Sequence, residues 1–226
     1  MKKFTFIILF LAFSFTVFSQ ECEAYIPIKV GSKYETQYFD KNDKLTSTST
    51  SEIISVKTVN GKQEIVIESE SFDNGESIGK SQATYYCDGE NFVVDMKGML
   101  SKEQLQPYEA MDIEYKVENL IYPKKMTDGM TLPDALVEAV VSNEGMKIIT
   151  LRVDVTNTKV ATESITVPAG TYKAYKVTSD VLVKIGFIKV KTQTVKWLVK
   201  DVGFVRTEVH SKKGKLMSYS VISRIW

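Results

Sequence analysis

The residues best suited to chemistry are few in this chain of 226 residues, and they are scattered along it. The single histidine, His210, follows Glu208 by two positions, so a strand would place both side chains on one face. A nucleophilic system of the Ser/His/Asp or Cys/His type would have to use this histidine, but no motif places a nucleophile beside it. We therefore expect no catalytic residues, and we predict that the protein is not an enzyme.

Metal and cofactor sites are not predicted either. One histidine and two cysteines are too few for a zinc site. The oxygen-rich clusters around Asp40–Asp43 and Asp73–Glu76 lack the full pattern of a calcium loop, and both suit turns. The twelve glycines form no phosphate-binding loop. A catalytic pair of carboxylates stays open, because the distances between Asp and Glu side chains cannot be read from a sequence.

The two cysteines, Cys22 and Cys87, predict a disulfide, because an exported protein reaches an oxidising compartment. Such a bond would tie the N-terminus to a strand. A reactive thiol is disfavoured, since no Cys-x-x-Cys spacing occurs and no histidine is near either cysteine. Lipid attachment at Cys22 is also disfavoured, because Glu21 stands where a lipidation motif requires a small residue.

The first twenty residues have the pattern of a secretory signal peptide. Lys2 and Lys3 precede an apolar run from Phe4 to Phe18, and Ser19 and Gln20 follow it. This run is shorter than the roughly 20 residues that a membrane-spanning helix needs. We predict that residues 1–20 are removed, that residues 21–226 form one β-rich domain that does not span a membrane, and that the protein is periplasmic or secreted.

The balance of charges argues against nucleic acid as a partner. The chain has 29 lysines and arginines and 28 acidic residues. Two of the lysines lie in the predicted signal peptide, so the mature chain is close to neutral. Binding to a polyanion needs a clustered basic surface. The lysines around Gly214 form the densest basic cluster, and we interpret them as a solvated turn.

Turn signals divide the N-terminal part of the mature chain into short strands. Pairs such as Asn60-Gly61 and Asp88-Gly89 separate runs of β-branched and aromatic residues, and such pairs are strong hairpin signals. The Ser/Thr run Thr46–Ser51 is interpreted as a strand. The alternation of apolar and charged residues in Glu64–Glu70 suits a sheet with one face in water.

One short helix is predicted in the middle of the chain, at Lys102–Leu105. There Ser101 and Gln104 form a capping box, and Pro107 limits the helix that follows.

The C-terminal third has the clearest strand pattern. The sequence therefore predicts a mainly β fold built as an antiparallel meander. The predicted strands of the middle and the C-terminal third are Met111–Ile121, Ala135–Val141, Met146–Thr156, Lys159–Thr166, Tyr172–Ile185, Lys189–Val199, Phe204–His210 and Leu216–Ile225.

Apolar residues at consecutive positions mark the segment Val181–Ile188. Both faces of this predicted hairpin carry hydrophobic side chains, which fits a buried central strand pair. It also fits a curved sheet whose concave face binds an apolar ligand, with Phe187, Ile188 and Trp197 near the mouth of the pocket. The eight methionines would suit such a lining or a plain core.

Two C-terminal motifs carry a family resemblance. The segments Val167–Val177 and Val195–Arg206 resemble the TapB-like family of secreted bacterial proteins and a related family of unknown function. The resemblance implies an exported, mostly antiparallel β protein of Gram-negative envelopes, similar in shape to the half-barrels of lipoprotein carriers. It implies no established activity, and no site residue is transferred from it.

Together these observations predict a mainly β protein, with a strongly curved antiparallel sheet or half-barrel and one short helix. Two functions remain. The first is an envelope protein that binds a lipid or another apolar small molecule in its curved sheet. The second is a structural or interaction module that recognises another envelope protein and has no ligand.

Overall fold

The computed structural model describes residues 24–100 and 102–226, in which thirteen strands form one antiparallel sheet. Residues 102 and 103 are described by their backbone only. The strands are β1 (Lys33–Asp40), β2 (Leu45–Val59), β3 (Lys62–Asp73), β4 (Glu76–Cys87), β5 (Asn91–Val94), β6 (Asp112–Glu118), β7 (Leu120–Pro123), β8 (Ala135–Asn143), β9 (Met146–Val167), β10 (Gly170–Ile185), β11 (Ile188–Val199), β12 (Gly203–Ser211) and β13 (Leu216–Ile225).

The sheet is strongly curved and nearly closes on itself, which confirms the predicted fold class. Its order is β6-β8-β9-β10-β11-β12-β13-β1-β2-β3-β4-β5-β7, so the two edge strands are β6 and β7. These strands are consecutive in the chain and only Asn119 separates them. The side chain of Asn119 accepts a hydrogen bond from the backbone N–H of Met96 at 3.1 Å. The two edges of the sheet therefore meet where the chain passes from β6 to β7.

Alternation along the strands decides which side chains enter the barrel. In β8, every second residue from Ala135 to Val141 is buried, and the β9 partners of the first three, Val155, Val153 and Leu151, are buried as well. In β3, Ile65 and Ile67 are buried, as the alternation of that segment predicts. Burial of one face of each strand is the main source of stability in such a sheet.

One predicted corner is absent. The sequence predicts a turn at Asn157, but β9 runs without a break for 22 residues. At Asn157 the backbone has a φ of 52°, and the register with β10 shifts between Thr178 and Asp180. An asparagine tolerates this conformation in a β-bulge, so the strand bends there and does not end.

A second predicted strand is two strands. The run predicted from Met111 to Ile121 divides at Asn119 into β6 and β7, which pair with β8 and β5 respectively. The short helix, α1, spans Lys102–Leu105 as predicted. Two 3-10 turns flank it, at Met96–Met99 and Gln106–Tyr108.

The segment before β1 plugs one part of the interior. Ala24, Tyr25 and Ile26 are buried, although they belong to no strand. The ring of Tyr25 meets Tyr122 and Tyr175 edge-on, with centroids 6.3 and 6.0 Å apart, and its hydroxyl donates to the carbonyl of Pro123 at 2.7 Å. Residues 24–26 are therefore part of the core.

Candidate functional site

A cavity of about 220 Å³ lies in the barrel interior, and we call it the interior cavity. Aromatic and apolar groups form part of its wall, and hydroxyl groups form most of the rest. Among the described residues that line it, none is a carboxylate or a histidine. The lining residues are Ile26, Tyr34, Thr36, Tyr38, Ser51, Ser69, Tyr85, Val202, Gly203, Phe204, Thr207, Ser220 and Ile222.

Strand register brings these hydroxyls to one surface. Ser51 on β2 is opposite Tyr34 on β1 and opposite Ser69 on β3. On the other side of β1, Ser220 is opposite Tyr38. Residues directly opposite one another in an antiparallel pair point to the same face of the sheet, so all of these side chains project inwards.

The buried hydroxyls have partners within the wall. Ser51 and Ser69 share a hydrogen bond of 2.7 Å between their hydroxyl oxygens, and Ser51 is also bonded to the hydroxyl of Tyr34. The hydroxyls of Tyr38 and Ser49 are 3.3 Å apart. Because these hydroxyls are bonded to one another, they can be buried in the wall without a bound ligand to pair with them.

Two tyrosines of the wall, Tyr34 and Tyr85, stay protonated at neutral pH. Burial raises the pKa of Tyr34 and of Tyr85 above the ordinary value for a phenol. Their hydroxyls can therefore both donate and accept hydrogen bonds across the physiological pH range.

Lys196 lies beside this wall. On β11 it is opposite Val177 of β10 and Thr207 of β12, both of which face inwards. Its ammonium lies 5.2 Å from the centroid of the Phe204 ring, which lines the interior cavity. Burial lowers the pKa of Lys196, and among residues 24–100 and 102–226 no carboxylate pairs with it. This positive charge is consequently available to an anionic group that enters the barrel.

Trp197 lies on the opposite face of the sheet from the interior cavity. It is 6% exposed and packs in a second apolar cluster with residues such as Val205 and Val221. Its ring N–H donates to a carboxylate oxygen of Glu163 at 2.6 Å, and the ammonium of Lys176 lies 5.3 Å from the ring centroid. The surroundings of Trp197 are filled by the protein itself.

Phe187 and Ile188 occupy a third place, the tip of the β10–β11 hairpin. Phe187 is fully exposed and Ile188 is 66% exposed. The structure does not bring these two residues together with Trp197, and none of the three lines the interior cavity. Their predicted contact with a ligand stays a prediction. The sequence predicts all three residues near the mouth of one pocket, whereas in the structure Trp197 lies apart from Phe187 and Ile188.

His210, for which no catalytic role is predicted, contacts Glu208 on its own strand. Nε2 of His210 lies 2.8 Å from a carboxylate oxygen of Glu208, and Nε of Arg206 donates to the other oxygen of that carboxylate at 2.8 Å. Contacts of the two ring nitrogens, with the Glu208 carboxylate and with the carbonyl oxygen of Gly214 at 3.3 Å, explain the fixed position of the ring.

The sequence also predicts a disulfide between Cys22 and Cys87 and no metal site. Cys22 lies outside the described residues, so its pairing with Cys87 stays a prediction. Cys87 is buried at the end of β4, and no free cysteine occurs in the described part of the chain.

Within residues 24–100 and 102–226, no group of three or more His, Cys, Asp or Glu side chains could hold a metal ion. None of the helices described is long and apolar enough to cross a membrane.

Sequence reasoning missed the interior cavity. The run Thr46–Ser51 predicts a strand but not its inward face, and its buried members Ser49 and Ser51 point into the barrel. The sequence signal at Lys196 is a charged residue between two apolar ones, Val195 and Trp197. Only the register of β10, β11 and β12 reveals which of the two faces the lysine occupies.

Comparison with known proteins agrees with this architecture. Two solved structures match: a candidate exported protein with a YmcC-like fold from Bacteroides fragilis (22% identity, TM-score 0.69) and a candidate lipoprotein from Parabacteroides distasonis (21% identity, TM-score 0.71). Each alignment covers 91% of this chain and 100% of the other chain. These likenesses define the fold class as a strongly curved, nearly closed antiparallel sheet.

The family follows from a separate match. The model of the DUF3108-like family matches residues 29–222, and the chain therefore belongs to the DUF3108-like family. No curated protein matches the chain. The comparisons do not show a relationship to the TapB-like family in particular. They support the resemblance only in its coarser form, that of an uncharacterised β-rich family.

Proposed function

We propose that this protein is an exported, non-enzymatic binding protein of the cell envelope that holds an amphipathic, lipid-like molecule in its barrel. The observation that carries the proposal is the interior cavity, where hydroxyl groups face the rings of Tyr85 and Phe204. Export is supported by the apolar leader in the sequence. The descriptions of the two similar structures, one as a candidate exported protein and one as a candidate lipoprotein, agree with it.

The chemistry of the wall indicates the class of ligand. The volume of about 220 Å³ is below that of a typical site for a whole drug-sized molecule. It therefore suits a compact polar group, such as the head of an amphipathic molecule. The hydroxyls of Tyr34, Thr207 and Ser220 would bind that group, and the ammonium of Lys196 favours a head with negative charge.

A binding role without catalysis fits the same lining. The cavity wall offers tyrosine, serine and threonine hydroxyls, but no carboxylate or imidazole that could accept a proton from them. Amphipathic molecules need hydroxyls for the head and rings for the chain, and the wall supplies both.

Native mass spectrometry of the mature protein, purified from its own envelope fraction, tests the proposal. We expect a stoichiometric adduct that organic extraction identifies as an amphipathic lipid. A mass with no adduct, together with no uptake of fatty acids or phospholipids on challenge, would contradict the proposal. That outcome would favour a structural or protein-interaction module.

A pair of matched variants then localises the site. Ser220→Leu places a larger apolar side chain into the interior cavity, and we expect at least tenfold weaker binding of the extracted lipid. Ser218→Leu, on the same strand but outside the cavity lining, is the control and should bind normally. Equal binding by wild type and both variants would place the ligand elsewhere.

A further inference from the structure

Two neighbouring hairpins at one end of the sheet carry large apolar side chains in water. The β10–β11 hairpin ends in Phe187 and Ile188, which are 103% and 66% exposed. The β8–β9 hairpin ends beside Met146, which is 67% exposed, and Ile148, which is 50% exposed. With Val190, which is 48% exposed, these residues form what we call the apolar tip.

The two hairpins are held side by side. Ile185 of β10 is opposite Leu151 of β9, and the backbone N–H of Gly186 donates to the carbonyl of Thr150 at 3.0 Å. Single exposed apolar residues are ordinary on protein surfaces, but a cluster at two adjoining tips is not. The members of the apolar tip lie outside both apolar clusters of the fold, so core packing does not explain them.

Positive charge surrounds the apolar tip. Three consecutive hairpins at this end, residues 143–150, 181–193 and 211–216, contain seven lysines and one glutamate. A groove of about 690 Å³ lies among them, and its lining includes Lys184, Lys191, Lys212 and Lys213, as well as two aspartates. This asymmetry stands out in a chain with 29 basic and 28 acidic residues.

The positive charge is strongest on one side of this end. The hairpins that join β1 to β2 and β3 to β4 reach the same end of the sheet. In the first, Asp40 and Asp43 are balanced by Lys41 and Lys44, and the second carries Asp73 and Glu76. A surface that meets a flat anionic partner would therefore contact it through the lysine-rich hairpins and turn the β3–β4 hairpin away.

The geometry points to a membrane-docking surface: the apolar tip enters the interface of an anionic phospholipid bilayer, while the surrounding lysines contact lipid phosphates. Apolar side chains flanked by lysines are the combination that binds the headgroup region, because burial of the tip and attraction to anionic lipid act together. Charge complementarity decides for a bilayer over a neutral protein partner. The inference is independent of any ligand in the interior cavity.

Vesicle flotation with the full mature protein tests the inference. The probes are vesicles of phosphatidylcholine alone and vesicles with a third of phosphatidylglycerol. We expect the wild type to float with the anionic vesicles, to bind the neutral ones at least tenfold more weakly, and to lose most binding in 0.5 M salt, conditions chosen because surface attraction is screened by salt.

Three variants separate the contributions. Phe187→Ser combined with Ile188→Ser should weaken binding about tenfold or more, because the buried apolar area is lost. Lys189→Gln combined with Lys191→Gln should weaken it on anionic vesicles only, by about fivefold for each lysine. Val59→Ser is the control, because Val59 is also exposed (45%) but lies at the hairpin of the opposite end.

Several outcomes would overturn the inference. One is a wild type that floats with neither kind of vesicle, and another is a double serine variant that binds as well as the Val59→Ser control. Light scattering without vesicles gives the third. If the wild type is a dimer and the double serine variant is a monomer, the apolar tip is a contact between copies of this chain. Since every substituted residue is exposed, unchanged melting temperatures are expected for all variants.

Discussion

The two sides of the barrel interior follow the same alternation and carry opposite chemistry. On β8 and β9 the inward positions hold residues such as Val137, Ala139 and Leu151, which are at most 2% exposed and leave no polar group to satisfy. On β2 and β3, several inward positions hold hydroxyls, including Ser51 and Ser69. One side fills the barrel and the other side keeps it open.

The difference lies in side-chain size as well as polarity. Serines are too short to meet the opposite wall, so the sheet curves around a space there, whereas Tyr25 fills the apolar side together with Phe92 and Tyr122. Close packing supplies most of the stability of a β-protein of this kind. We therefore expect the apolar side to determine stability and the hydroxyl side to determine what the barrel can hold.

The largest expected effect comes from the apolar side. Leu151→Ala removes a buried side chain from β9, and its cavity should cost about 3 kcal/mol of unfolding free energy. Ser69→Ala, at an inward position of β3 on the hydroxyl side, should cost less than about 1.5 kcal/mol, because it loses one hydrogen bond. Urea denaturation of both variants measures the contrast. Equal losses would remove the distinction between the two sides.

A middle-sized effect is expected where the hydroxyls are most buried. Ser51→Ala removes the partner of Ser69 and of Tyr34, so two polar groups lose a bond inside the wall. The expected cost is about 1–3 kcal/mol. Thr50→Val changes the adjacent residue, whose side chain points to the other face, and should stay within about 0.5 kcal/mol. A Ser51→Ala variant as stable as Thr50→Val would mean that water replaces the lost bonds.

Much of this contrast was readable in the sequence, but its location was not. Alternation predicts that Ile65 and Ile67 share a buried face, and turn residues predict nearly every hairpin. The face that Thr46–Ser51 turns to the interior depends on partners more than a hundred residues away, such as Ser220. In the same way, Asn157 has the residue type of a turn, and only its pairing with β10 makes it a bulge.

The position of Phe187 illustrates the same limit. A run of apolar residues predicts burial or a ligand contact, because a sequence records hydrophobicity and not the length of neighbouring strands. The structure places this run beyond the end of the packed sheet, where Phe187 meets water. Trp197 belongs to the same predicted site, yet alternation along β11 turns it to the opposite face from Lys196.

The smallest effect, and the most specific one, concerns Lys196. Burial depresses its pKa in the folded state, so the unfolded chain binds its proton more tightly, and the ammonium opposes folding at pH values below the folded pKa. This penalty is relieved as the pH rises through the folded pKa towards the unfolded value of about 10.4. Lys196→Met removes the penalty and keeps the apolar stem, so we expect it to be more stable than the wild type at pH 7 by less than about 1 kcal/mol.

The pH dependence distinguishes this explanation from simple repacking. The stability difference between Lys196→Met and the wild type should shrink between pH 7 and pH 10.5, as measured by urea denaturation at several pH values. Lys189→Gln, at an exposed position of the same strand, should show no such trend. A difference that is constant with pH would mean that the Lys196 ammonium is fully solvated, and it would then give the hydroxyl side no charge with which to select an anionic head.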